Sequence, residues 1–154
     1  MTITAPTAGQ EILDSWTTAL TAVANGFVNS QKITASGALT LSNVEQDVPG
    51  MTVTFALVGA NGFADLTVNM DFTVGTASSA TQLVARINVD TVSNTTEPIN
   101  NNATALGSQT TARTFHLPLA AGSHTIKVVG LKSAAAAGTA NATSTMILTV
   151  FDLA

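Results

Sequence analysis

The sequence predicts an all-β chain, a β-sandwich or jelly roll, led by an extended arm and one amphipathic α-helix. Three observations predict it. From Lys32 onward apolar residues alternate with polar ones at period two, the pattern of strands that bury one face. Glycine, asparagine and proline punctuate these runs at short intervals, which is turn chemistry between short strands. Thr and Ala number 26 and 25, a third of the 154 residues, and Thr suits a pleated, half-exposed position. No strand–helix–strand rhythm and no obvious internal repeat point elsewhere.

Residues 1–10 read as an arm, with Pro6 and Gly9 among Thr and Ala. Ile12, Trp16, Ala19 or Leu20, Val23 and Phe27 then recur at steps of three and four, which places them on one face of a helix. Glu11 and Asp14 fall in its first turn, where negative charge suits the helix dipole. Gly26 and Asn29 loosen its far end. Such a helix either packs on its own domain or forms a short bundle with other copies, and the sole Trp lies on the stripe. Ile12, Trp16, Leu20, Val23 and Phe27 are the candidate oligomer or docking interface, and the chain divides into an arm-and-helix region (1–31) and a sandwich domain (32–154).

The strands follow in order. Ile33–Leu41 is one, weakened by Gly37, and Val44–Gly50 is a turn-bearing link ending in Pro49-Gly50. In Met51–Val58, Met51, Val53, Phe55 and Leu57 share a face. After the turn Gly59–Gly62, the long strand Phe63–Val74 sets Leu66, Val68, Met70 and Phe72 on one side. Ala80–Val92 sets Leu83, Ala85, Ile87 and Val89 opposite Gln82, Arg86, Asn88 and Asp90. Ser93–Thr110 is polar and Asn-rich and reads as a long loop, with room for a short strand near Ala103–Leu106; loops of this length are often functional, and a flexible excursion is the plain alternative. Thr111–Lys132 reads as a β-hairpin: Phe115, Leu117 and Leu119 alternate, Ala120–Ser123 turns with Gly122 free to take a positive φ, and Ile126–Leu131 returns. Ser133–Thr143 is a small-residue connection, and Ser144–Leu153 closes the chain as a strand.

Composition narrows the function. Only 9% of residues are charged, against about 25% in ordinary domains. A surface so poor in charge is weakly protected against self-association, so burial in an oligomer or a larger particle is expected. The net charge is −4 and the five basic residues, Lys32, Arg86, Arg113, Lys127 and Lys132, are dispersed, whereas nucleic-acid binding calls for a basic stripe. There is no cysteine, hence no disulfide or thiolate site. The first residues lack a basic segment followed by an apolar one, and no apolar run nears the ~20 residues of a membrane span, so a soluble product made in the cytoplasm is expected.

No catalytic residue, cofactor site or metal site is expected. His116 and His124 flank the turn of the hairpin and come near each other in that reading, but a third ligand is not evident. The carboxylates from Glu45 onward are scattered, without an acid–base pair, and no Ser stands out as a nucleophile. The glycine-rich turns lack the strand–glycine–helix setting of a phosphate cradle. Three Asn-x-Thr sequons, at Asn94, Asn102 and Asn141, follow from Asn- and Thr-rich loops.

Two segments together resemble a known group. The opening TITAPTAGQEILDSWTTALTAVANGFVNS is similar to the arm and helix, with Ala-Pro-x-Ala-Gly-Gln and a single Trp, of small virion proteins of tailed phages that infect actinobacteria. TFHLPLAAGSHTIKVVGLKS, the GTANAT loop and the closing TMILTVFDL resemble the jelly rolls such proteins carry, of the tumour-necrosis-factor (TNF) and complement-C1q type, although tyrosine is absent and aromatics are few. The resemblance implies a homotrimer on the virion whose N-terminal region docks or trimerises, with the major capsid protein as partner in a capsid decoration protein or head fibre. A minor tail or tail-tip protein that binds a host surface glycan is the alternative. A free-standing binding module using residues 93–110 and an enzyme are the other classes; the first is poorly supplied with aromatic platforms, and nothing in the sequence invites the second.

Overall fold

The computed structural model describes residues 26–77, 82–133 and 137–152, and in these the chain is a two-sheet antiparallel sandwich. Its strands are β1 (Phe27–Thr34), β2 (Leu39–Thr40), β3 (Gln46–Leu57), β4 (Gly62–Thr76), β5 (Gln82–Val89), β6 (Val92–Ser93), β7 (Ile99–Asn102), β8 (Gly107–Leu119), β9 (Gly122–Lys132), β10 (Ala137–Ala140) and β11 (Thr145–Phe151).

The fifteen-residue β4 organises the six-stranded sheet. One edge of β4 pairs with β8 along its length, from Gly62↔Leu119 to Val74↔Gly107. Its other edge pairs with β11 over Phe63–Asn69 and with β10 from Phe72 onward. β1 extends the sheet beyond β11, and β2 beyond β10. The five-stranded sheet runs β3–β9–β5, and the far edge of β5 carries β7 and β6. Side chains alternate across each strand, and the inward set forms one core of Met51, Leu66, Met70, Phe72, Leu83, Ile87, Ile126, Met146 and Leu148, all fully buried. Successive strands β3, β4 and β5, and again β7, β8 and β9, cross from one sheet to the other, which is the connectivity of a jelly roll.

The alternations in Met51–Val58, Phe63–Val74 and Ala80–Val92 face inward as their periodicity requires. Several other expectations are corrected. β8 and β9 are both strands, but they do not pair as a hairpin: β8 pairs with β4, and β9 with β3 and β5, in the other sheet. Ile33–Leu41 is not one strand; β1 ends at Thr34, and Ala35 bonds Ser144 before β2 begins. The Val44–Gly50 link lies largely inside β3, whose register slips between Asp47 and Thr52. Pro49 there gives its carbonyl to the Ser36 N–H at 2.8 Å, and Gly50 takes φ +77°, where a Cβ would come within 2.8 Å of the Ser36 nitrogen. Two expected loops also contain strands: β6, β7 and the start of β8 fall within or beside Ser93–Thr110, and β10 within Ser133–Thr143. β7, Ile-Asn-Asn-Asn, is a poor strand former by composition; its ladder to β5 and the burial of Ile99 override that preference.

Of the proposed helical stripe, Ile12, Trp16, Leu20 and Val23 lie outside the described residues. Phe27 is the first residue of β1, its backbone paired with Phe151. Pairing with β11 therefore makes this last position of the stripe extended, and the first strand begins inside the stretch assigned to the arm and helix.

Candidate functional site

The outward face of the six-stranded sheet is built from the residues of β4, β11, β8 and β1 that are out of phase with the core. Strand register aligns them in rows: Ser30, Thr149, Asp65 and His116; then Lys32, Ile147, Thr67 and Thr114; then Thr34, Thr145, Asn69 and Ala112. Hydroxyls join across strands at 3.1 Å in Ser30–Thr149, Thr67–Thr114 and Thr73–Ser108. Each pair links neighbouring strands without adding charge. Asp71 accepts from the Thr143 hydroxyl, and Asn141 binds Thr73.

One end of this face is aromatic. Phe63 and Phe151 stack with ring centroids 4.6 Å apart, and His116 lies 4.9 Å from Phe63. His116 Nδ1 is 2.7 Å from Asp65 Oδ1. Beside Phe63 opens a shallow cleft of about 440 Å³, lined by Asn61, Phe63, His116, Pro118 and Ala120 among others. Ile147 projects near the middle of the face and is 42% exposed, and Val28 is exposed at the bulge of β1. These apolar residues stand where the alternation calls for polar ones. That phase error is the sequence signal that was missed: Phe63 is out of step with Leu66, Val68, Met70 and Phe72, and Ile147 with Met146, Leu148 and Val150.

The outward face of the other sheet is more polar and carries its own pairs. Glu45 meets Arg86 at 2.5 Å and accepts from Ser93 at 3.0 Å, while Lys127 bonds Asp47 at 2.9 Å. Val129 stands between Arg86 and Asp47 in the register and is buried although it points outward. A cleft of about 450 Å³ lies by Asp47, Thr52, Asp90, Thr125 and Lys127.

The two histidines, expected near each other, are divided between the sheets. His116 is exposed and bonded to Asp65, whereas His124 is buried and bonded to Asp90. β8 and β9 pair with different partners, so no hairpin ladder sets the two histidines opposite each other. Among the described residues no three His, Asp or Glu side chains gather to hold a metal ion, and no helix is long and apolar enough to cross a membrane.

No protein-family model matches the chain, and no curated protein matches it in sequence. Solved structures do match its fold. Eiger TNF from S. frugiperda superposes with a TM-score of 0.52 at 14% identity, covering 84% of this chain and 94% of that one. The globular domain of zebrafish complement 1qA covers 82% of this chain and 98% of that one, with a TM-score of 0.45 and 8% identity. At these identities the likeness concerns the fold alone, and the sandwich is a jelly roll like that of TNF.

Proposed function

We propose that this protein is a structural component of a phage virion: a homotrimer that decorates the capsid or forms a short head fibre, held to the major capsid protein through its N-terminal region. In this reading it works through surfaces rather than a reaction, and its place is the virion after synthesis in the host cytoplasm. The observation that carries self-association is the outward face of the six-stranded sheet, which combines few charges, satisfied hydroxyl pairs and the out-of-phase Phe63, Phe151 and Ile147. A sheet face of this kind suits burial against another copy, because little charge must be desolvated. The virion assignment is supported by the resemblance of the first thirty residues, with Trp16, to the arms of small phage virion proteins.

Light scattering of the full chain at micromolar concentration tests the assembly. A mass three times that of the 15.6 kDa chain is expected, and Trp16→Ala is expected to weaken assembly or docking. A monodisperse monomer, unchanged in that variant, would overturn the reading. Purified particles separate capsid from tail: copies in the hundreds mean decoration, and a handful mean a tail protein. The tail-tip reading is favoured by one feature, the cleft in which Asn61 and His116 flank the Phe63 ring, an arrangement suited to stacking and hydrogen-bonding a host glycan.

A further inference from the structure

The chain passes from β8 in one sheet to β9 in the other through Ala120–Ala121, and both residues are exposed. Little apolar burial holds this corner, yet its carbonyl has a specific partner. His124 Nε2 is 2.8 Å from the Ala120 oxygen, and His124 Nδ1 is 2.7 Å from Asp90 Oδ2. Asp90 Oδ1 in turn accepts the Thr125 N–H at 2.8 Å. Asp90 sits in the two-residue turn between β5 and β6, where Asp90 and Thr91 take φ of 50° and 75°. A carbonyl and an ionised carboxylate only accept hydrogen bonds. Both ring nitrogens of His124 must therefore donate, which makes the ring an imidazolium.

We propose that His124 is a protonated pin that ties the β8–β9 corner to the β5–β6 turn, and that its deprotonation releases the corner. Ala120 lines the cleft beside Phe63, whereas Asp90 lines the cleft on the opposite sheet. The pin stands between the two, so releasing it reshapes the rim of the Phe63 cleft.

The surroundings favour the charged ring. From β3, His124 meets the Phe55 ring at 5.9 Å; from the β5–β6 turn it meets Asp90, and from its own corner the Ala120 carbonyl. Lys127 and Asp47, on the neighbouring outward face, bond each other. Burial opposes the charge, but the Ala120 carbonyl and the Asp90 carboxylate outweigh it and hold the His124 pKa above 6.5. The Thr125 N–H, and after it His124, hold Asp90 below 3.8. A raised histidine pKa stabilises fully below its unfolded value, and the effect is lost as pH rises through the folded one. A lowered carboxylate pKa stabilises above its unfolded value, and that effect is lost as pH falls through the folded one. The pin is thus complete between the two unfolded values and opens on the alkaline side of the higher one.

Nitrogen-resolved NMR of the His124 ring in the full chain, followed from acid to alkaline pH, tests this. At a pH below the midpoint of the same histidine in urea, both ring nitrogens are expected to carry hydrogen, and the folded midpoint is expected to lie above the urea one. Amide exchange at Ala121 and Gly122, corrected for intrinsic rates, is expected to accelerate through the same midpoint. Asp90→Asn keeps the left-handed turn, which Asn tolerates, and is expected to move the midpoint down. His124→Gln is expected to show the alkaline exchange pattern at every pH. A midpoint at or below the urea value, or a single protonated ring nitrogen below the urea midpoint, overturns the proposal. So does corner exchange that ignores the titration. The wild-type titration decides the matter alone if either variant fails to fold.

Discussion

Thr91 follows Asp90 through a second positive φ, 75°, in the turn between β5 and β6. Positive φ at both central residues defines the type I′ turn, which matches strand twist and favours Asn-Gly or Asp-Gly. A β-branched residue there is strained, because its Cβ crowds the following carbonyl. Thr91 is exposed, so little packing is lost on truncation. Thr91→Gly is expected to stabilise the fold by about 1 kcal/mol, read as a higher urea midpoint at unchanged slope. The sequence showed Asp90 and Thr91 only as the end of a strand, since Thr91 stands where an Asp-Gly turn would carry its glycine. What places the turn is distant in the chain: His124 and the Thr125 N–H both bind the Asp90 carboxylate. The Phe63 site was legible in part, because an aromatic out of phase with its strand's core face is visible by counting. Its partners Phe151 and His116 were not, since only register brings them together.

At the scale of elements, β4 is the strand on which the others depend. It pairs with β8 on one edge and with β11 and β10 on the other, and its inward residues from Ala64 to Val74 are buried. Phe72 is among the largest side chains buried completely. Phe72→Ala is expected to cost about 3–5 kcal/mol through lost transfer energy and an unfilled cavity, measured by equilibrium urea unfolding. The long strands were legible because a buried face imposes period two over many residues. The short strands β7 and β10 were not, because one Ile before three Asn, or four residues of Ala, Gly and Thr, carry no apolar period; their ladders to β5 and β4 make them strands. The pairing of β8 and β9 was misread for a related reason. A tight glycine turn between two apolar runs serves a hairpin and a sheet-crossing corner equally well, and only the partners on either side separate the two.

At the scale of the molecule, a chain with 9% charged residues leaves one sheet face mostly uncharged. Ile147 stands in the row of Lys32, Thr67 and Thr114, outside the buried core, and remains 42% exposed. If this face is the contact between copies, Ile147→Lys is expected to raise the dissociation constant about tenfold or more, a cost of about 1.4 kcal/mol, measured by sedimentation equilibrium. Circular dichroism of the variant is expected to keep the β signature, because the side chain lies outside the core. A variant that assembles as tightly as the parent would place the contact elsewhere.

Alternation, turn residues and the scarcity of charge were enough to establish an all-β sandwich, its main core faces and an expectation of self-association. Those properties are local, written in the order of neighbouring side chains. The tertiary structure decided which strands pair, and so which residues meet across them. It stacked Phe63 on Phe151, set His116 on Asp65, and placed His124 between Asp90 and the Ala120 carbonyl. Partners 34 to 88 positions apart, such as Asp90 with His124 and Phe63 with Phe151, are chosen by sheet register and by the shared core that aligns it, and neither is encoded in the pattern of any single strand.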